Sequence, residues 1–193
     1  MNLVLRKPMT VAEFLAWEAR QELRHEFDGC EPVAMTGGTI AHDLITFNIR
    51  ASLAARLSGG PCRPHGPNVK IATSAGNVRY PDALVSCVPF DPNALFIEQP
   101  VVVFEVVSED TARIDRIVKL REYQATPSIR RYVIVEQKSI GLSVFTRRDG
   151  DWIATALTEG DILRMPEIDV EIPVEELYAG LDYPTPADAE PTA

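Results

Sequence analysis

The run Val101–Val107, VVVFEVV, constrains this chain more than any other stretch. It is short, β-branched and apolar at both alternating sets of positions, so it reads as a central strand covered on both sides. Alternation puts Val101, Val103, Glu105 and Val107 on one face and Val102, Phe104 and Val106 on the other. Glu105 therefore stands where water is excluded. A carboxylate in such a place must be neutralised, paired with a cation or bound to a metal, because an isolated buried charge is too costly. A structural ion pair, or a strand-end position reaching solvent, satisfies the same pattern.

The rest of the chain supplies a mixed set of elements. Thr10 followed by Glu13 forms a capping-box signal, and residues 10–20 read as a short helix with Phe14, Leu15 and Trp17 on its apolar face. Residues 23–27 and 30–35 flank Asp28-Gly29, a dipeptide that favours a two-residue hairpin turn, so an N-terminal hairpin is expected. From Ala41 to Leu57, Leu44, Ile45, Ile49, Leu53 and Leu57 recur at helical spacing. Strands are expected over 69–72 and 78–88, then a helix over 111–125 with Ile114, Ile117, Val118 and Leu120 apolar. A strand over 131–136 and a hairpin around Asp149-Gly150 follow. The order favours one mixed α/β domain over residues 1–182, with the Pro-, Ala- and acid-rich residues 183–193 as a disordered tail.

With 193 residues, 19 basic and 28 acidic side chains, the chain carries a net charge of −9. That balance disfavours a protein that coats nucleic acid by bulk attraction, but it allows one that grips phosphate locally or through a metal. The N-terminus shows no signal-peptide pattern and no stretch is apolar enough for a membrane span, so a cytoplasmic location is expected. Cys30, Cys62 and Cys87 are odd in number and form no C-x-x-C pair, so reduced, half-buried thiols are expected. No signature pairs a cysteine with His25, His42 or His65 as a thiol hydrolase would require.

Asp82 follows Tyr80-Pro81 at the start of an apolar stretch, where proline fits a strand edge. Alone it is a turn residue; beside Glu105 on a neighbouring strand it is half of a two-carboxylate site suited to Mg²⁺ or Mn²⁺. Lys119 lies on the helix after the Glu105 strand, and helical spacing puts Asp115, Lys119 and Tyr123 on one face. An exposed i,i+4 ion pair between Asp115 and Lys119 explains the same spacing. Glu26 beside the first turn reads as a solvated strand residue, and His42 reads as a cap-region residue or a phosphate contact.

Glu26-Phe27-Asp28-Gly29, His42, Tyr80-Pro81-Asp82, Glu105-Val106-Val107-Ser108, Thr111, Asp115, Lys119 and Tyr123, taken in order, resemble the Uma-type restriction endonuclease family of the PD-(D/E)XK nuclease superfamily. The resemblance covers residues 9–181. It implies a restriction-endonuclease-like core, a mixed sheet flanked by helices. It also implies Asp82 and Glu105 as the two motif acids, Glu26 as an acid that completes the metal site, and a homodimer. The superfamily's lysine stands two residues after the second acid, where this chain has Val107. Lys119 matches a lysine that this branch takes from the following helix, and Lys70, before Asp82, is a second candidate.

The expected chemistry is Mg²⁺- or Mn²⁺-dependent hydrolysis of DNA, with Asp82, Glu105 and Glu26 holding the metal and Lys119 serving the attacking water or the phosphate. His42, Lys70 and Tyr123 are accessory candidates. Arg113, Arg116, Arg121 and Arg130-Arg131 are either backbone contacts or a solvated charged surface. The rival reading is a non-catalytic dimeric nucleic-acid-binding or assembly module that keeps the fold.

Overall fold

The structure is a computed structural model that describes residues 9–35, 37–107 and 114–183. The chain opens with α1 (Val11–Glu18), β1 (His25–Phe27), β2 (Pro32–Ala34) and the long α2 (Ile40–Arg56). Short strands follow: β3 (Arg63–His65), β4 (Ile71–Ala72), β5 (Val78–Arg79) and β6 (Ala83–Ser86). Then come β7 (Pro100–Val107), a π-helical segment (Ile114–Lys119), α3 (Leu120–Ala125) and β8 (Arg131–Glu136). The chain continues through β9 (Leu142–Arg148), β10 (Asp151–Leu157), β11 (Ile162–Met165) and β12 (Val170–Pro173), with 3₁₀ turns at Pro166–Ile168 and Val174–Tyr178.

The main sheet has the order β10-β9-β8-β7-β6-β3. β7 lies inside it, parallel to β8 and antiparallel to β6, so the sheet is mixed as expected. On one face, Val102, Phe104 and Val106 pack with Ile45, Ile49 and Leu53 of α2 and with Leu163 and Ile172 of the β11–β12 hairpin. On the other, Val103 and Val107 pack with Leu84, Ile134, Tyr123 and Tyr132. Burying a branched side chain on either face contributes about 1.5–3 kcal/mol, which is why β7 tolerates only one charge. A smaller sheet, β2-β1-β5-β4, stands beside it. No helix among the described residues is long and apolar enough to cross a membrane.

Several local expectations are corrected. The first hairpin is not closed by two residues: Phe27 faces Pro32, and the Asp28 side chain accepts hydrogen bonds from the Cys30 and Glu31 backbone N–H groups. That side-chain bonding satisfies a four-residue loop with only Gly29 at positive φ. At Asp149-Gly150 both residues have positive φ and Arg148 faces Asp151, the two-residue turn that matches strand twist.

The stretch 78–88 is not one strand. It leaves the small sheet after Arg79, turns through Tyr80-Pro81-Asp82 and enters the main sheet at Ala83. The helix over 111–125 turns its apolar residues outward: Ile114, Ile117 and Val118 are more than two-fifths exposed, while Asp115, Lys119, Glu122 and Tyr123 are buried. Its first three positions, Thr111 to Arg113, lie outside the described residues, as does Ser108.

Cys62 and Cys87 are joined as a disulfide, and Cys30 is the free, exposed thiol. The antiparallel register Arg63↔Ser86 brings the two flanking cysteines opposite each other, a tertiary relationship that spacing does not reveal. Tyr183, read as the start of the tail, donates its hydroxyl to the Gln137 carbonyl at 2.7 Å and packs on Tyr178. Residues 184–193 lie outside the described residues. The expectations missed β3 and the β11–β12 hairpin.

Candidate active site

A cavity of about 280 Å³ opens at the end of β7. It is lined by Glu26, His42, Asp82, Glu105, Asp115 and Lys119, among others. Each comes from a different local cause. Glu105 is delivered by alternation in β7. Asp82 is the residue at which the chain turns from one sheet into the other, and its Oδ2 accepts a 2.7 Å hydrogen bond from the Val106 N–H. The register of β6 beside β7 thus fixes Asp82 relative to Glu105.

Glu105 is 3% exposed and accepts two hydrogen bonds on Oε1, from Lys119 Nζ at 3.0 Å and from the Tyr123 hydroxyl at 2.8 Å. The same ammonium lies 3.1 Å from Asp115 Oδ1 and 3.4 Å from Glu26 Oε1. One cation therefore faces three carboxylates. Burial pushes the Glu105 carboxyl well above its usual range; Lys119 opposes that rise, and Asp115, Asp82 and Glu26 add to it. Burial works against the Lys119 charge, but Glu105, Glu26 and Asp115 outweigh it and hold the ammonium well above its ordinary value. The Tyr123 hydroxyl is pushed up by burial and by Glu105, so it is a donor to the carboxylate.

His42 sits in the first turn of α2, where its N–H bonds the Thr39 hydroxyl that caps the helix. Its Nε2 lies 3.3 Å from Asp82 Oδ2, and the bond to Asp82 raises its pKa against the opposing effect of burial. Glu26 is held on both oxygens: Oε2 by Arg79 Nη1 at 3.0 Å, and Oε1 by the Tyr80 N–H at 3.1 Å. Arg79 is in turn gripped by both oxygens of Glu122, at 2.7 and 2.6 Å.

Lys70 is placed elsewhere. Its ammonium pairs with Glu18 and faces the rings of Tyr80 and Phe96, outside the cavity. Arg116 pairs with Glu136, and Arg131 is buried against Glu167 and Thr146. Arg79 and Glu122 escaped the sequence reading altogether. The available signal was polar: Asp115, Lys119, Glu122 and Tyr123 recur at one helical face, marking it as buried once apolar periodicity is set aside.

The donor set suits a hard divalent cation, because every acidic group at the cavity offers oxygen. Among the described residues, no three acidic or histidine side chains converge closely enough to ligate one ion directly. The Lys119 ammonium instead stands among the carboxylates as their cation. The buried Asp115 Oδ1 meets that ammonium at 3.1 Å as an ion pair, without the angles of a hydrogen bond.

The Uma2 family, described as "Putative restriction endonuclease", matches residues 11–175. The chain belongs to the Uma2 family. A relative from Synechocystis, the uncharacterised protein slr1290, is 32% identical over 174 residues, covering 89% of this chain and 92% of the relative. A second Synechocystis protein, sll1609, is 22% identical over 162 residues, covering 81% of this chain and 92% of its own length. The crystal structure of an Anabaena variabilis protein described as a "putative nuclease belonging to DUF820" superposes with a TM-score of 0.72. It covers 89% of this chain and 98% of its own at 14% identity. That likeness shows that the two chains share a fold, and the Uma2 match gives the restriction-endonuclease-like family to which the expected core belongs.

Proposed function

We propose that this Uma2 chain is a metal-dependent endonuclease that hydrolyses DNA phosphodiester bonds. Asp82 and Glu105 hold the Mg²⁺ or Mn²⁺ ion, and Lys119 is the helix-borne cationic group. The observation that carries this reading is the convergence of Asp82 and Glu105, 23 residues apart in sequence, on one cavity that also receives Lys119. A bound divalent cation supplies positive potential for the phosphate and acidifies water.

The remaining steps belong to the chain itself. The Val106 N–H holds Asp82 in place, and Tyr123 and Lys119 orient Glu105. Lys119 lends its charge to the non-bridging oxygens as negative charge develops there. Water adds to phosphorus, the bond to the leaving oxygen breaks, and that oxygen takes up a proton. The net charge of −9 is compatible with this reading because the attraction for phosphate is local.

The experiment is cleavage of supercoiled and linear DNA with Mg²⁺ or Mn²⁺, with and without chelator, by wild type, Asp82→Ala and Glu105→Ala. The proposal expects cleavage by wild type alone, and only with metal. Equal nicking by either variant defeats it. A salt-sensitive DNA shift without cutting points to a binding module instead. The homodimer implied by the family resemblance is part of the same proposal, and sedimentation of the purified chain at micromolar concentration tests it.

A further inference from the structure

Glu18, Lys70 and Tyr80 form a second buried polar cluster, 7%, 8% and 6% exposed, that the proposed chemistry does not use. Lys70 pairs with Glu18 Oε2. Glu18 Oε1 accepts the Tyr80 hydroxyl at 2.6 Å and meets the His25 N–H at 3.5 Å. The Lys70 ammonium also stands 5.5 Å from the centre of the Tyr80 ring. Its backbone is held as well, since the Lys70 carbonyl accepts from the Ile97 N–H at 2.9 Å. A buried ion pair is often no more stable than apolar side chains of the same volume, so this one calls for a reason beyond stability.

Tyr80 joins that cluster to the cavity, which it lines together with Glu26 and Asp82. Its hydroxyl end belongs to the Glu18–Lys70 pair, while its own N–H donates to Glu26 Oε1 at 3.1 Å. Two residues on, Asp82 Oδ2 accepts from the Val106 N–H at 2.7 Å. Residues 80–82 belong to neither sheet, because β5 ends at Arg79 and β6 begins at Ala83. Strand ladders therefore do not set where this crossing lies, and Pro81 has no N–H with which to anchor it. The Tyr80 side chain is a rigid lever with both ends fastened. Burial and the Glu18 carboxylate raise its hydroxyl above the ordinary value, so it stays a donor.

We propose that Tyr80, fixed at its hydroxyl by the Glu18–Lys70 pair, is a positioning residue that sets Glu26 and Asp82 at the cavity. Lys70 thus acts on the site through the crossing, without reaching the substrate. The consequence for cleavage rests on the nuclease reading; the placement of the two carboxylates does not.

Tyr80→Phe removes one oxygen and keeps both the ring beneath Lys70 and the ion pair. Amide hydrogen exchange, followed by NMR on the full chain, reads the two site bonds without any need for activity. The N–H of residue 80 reports the bond to Glu26, and that of Val106 reports the bond to Asp82. In Tyr80→Phe both are expected to exchange about tenfold faster, over and above any change at Val133 in β8, because local openings respond to local bonds. The rate of DNA cleavage at saturating DNA is expected to fall by about tenfold or more, as displaced catalytic groups require. DNA affinity should stay within about twofold, since the loss falls on the reaction and not on binding.

Tyr178→Phe is the matched control. Its buried hydroxyl bonds the Gly141 carbonyl and N–H, at 2.8 and 3.1 Å, so it loses comparable bonds and should move neither readout. Exchange at 80 and 106 that merely tracks Val133 in Tyr80→Phe overturns the proposal. Equal local acceleration in Tyr178→Phe overturns it too, as does undiminished cleavage beside faster exchange. An inactive wild type defeats the nuclease reading alone, and the exchange rates then decide whether Tyr80 holds the carboxylates.

Discussion

Lys119 Nζ and Glu105 Oε1 meet at 3.0 Å inside the fold, although one residue belongs to a helical segment and the other to the central strand. This one ammonium faces the Glu105, Asp115 and Glu26 carboxylates together. Removing one partner of a buried pair leaves the rest uncompensated. Lys119→Ala is therefore expected to lose about 3–5 kcal/mol of stability in chelator and to lose DNA cleavage. Millimolar Mn²⁺ should raise the melting temperature of this variant more than that of wild type. Equal stability of the two proteins in chelator would refute the buried-cluster account.

Tyr123→Phe isolates one hydrogen bond. The ring keeps its edge contact with Tyr132, at 4.9 Å between centroids, while Glu105 loses its 2.8 Å hydroxyl donor. Urea unfolding is expected to show a loss of about 1.5–3 kcal/mol, the range for a hydrogen bond to a charged group. A change near zero would show that water replaces the hydroxyl.

Acid stability has a source outside the cavity. Burial raises the Glu18 carboxyl, but the Lys70 and Tyr80 hydrogen bonds outweigh it and hold its pKa below 4.5. The unfolded chain then binds a proton at Glu18 more readily than the folded one. The stabilisation is present above about pH 4.5 and fades as pH falls through the lower folded value. Urea unfolding across the acid range should show a shallower acid decline for Glu18→Gln than for wild type. Parallel curves would remove Glu18 from the explanation.

The Cys62–Cys87 disulfide spans 25 residues and ties the loop before β3 to the end of β6. Closing a loop of that length stabilises by about 3.5 kcal/mol in the chain-entropy account. Thiol titration of the denatured, unreduced protein should find one free thiol, Cys30, and three after reduction. Reduction should lower the melting temperature. Three free thiols before reduction would exclude the bond.

Much of the frame was legible because it follows from local rules. Alternation in VVVFEVV announced a central strand and a carboxylate in need of a partner, and α2 matched its apolar period to within one residue. The order of Asp82, Glu105 and Lys119 along the chain carried the family resemblance. The burial of the polar helix face was not legible in the same way. Ile114, Ile117, Val118 and Leu120 announced a helix, and spacing put Asp115, Lys119 and Tyr123 on one face, but whether that face was buried or a solvated ion pair stayed open until the structure buried Asp115, Lys119, Glu122 and Tyr123.

The sequence by itself thus determined the central strand, the long helix α2 and that Glu105 must find compensation, since period and desolvation cost act along a short stretch. Only the tertiary structure decided what compensates it. Lys119 rather than Lys70 reaches Glu105, Arg79 holds Glu26 to Glu122, and Cys62 finds Cys87. Those pairings depend on strand register and on the turn at Tyr80-Pro81-Asp82. Charge interactions depend on distance in space, which local pattern does not encode.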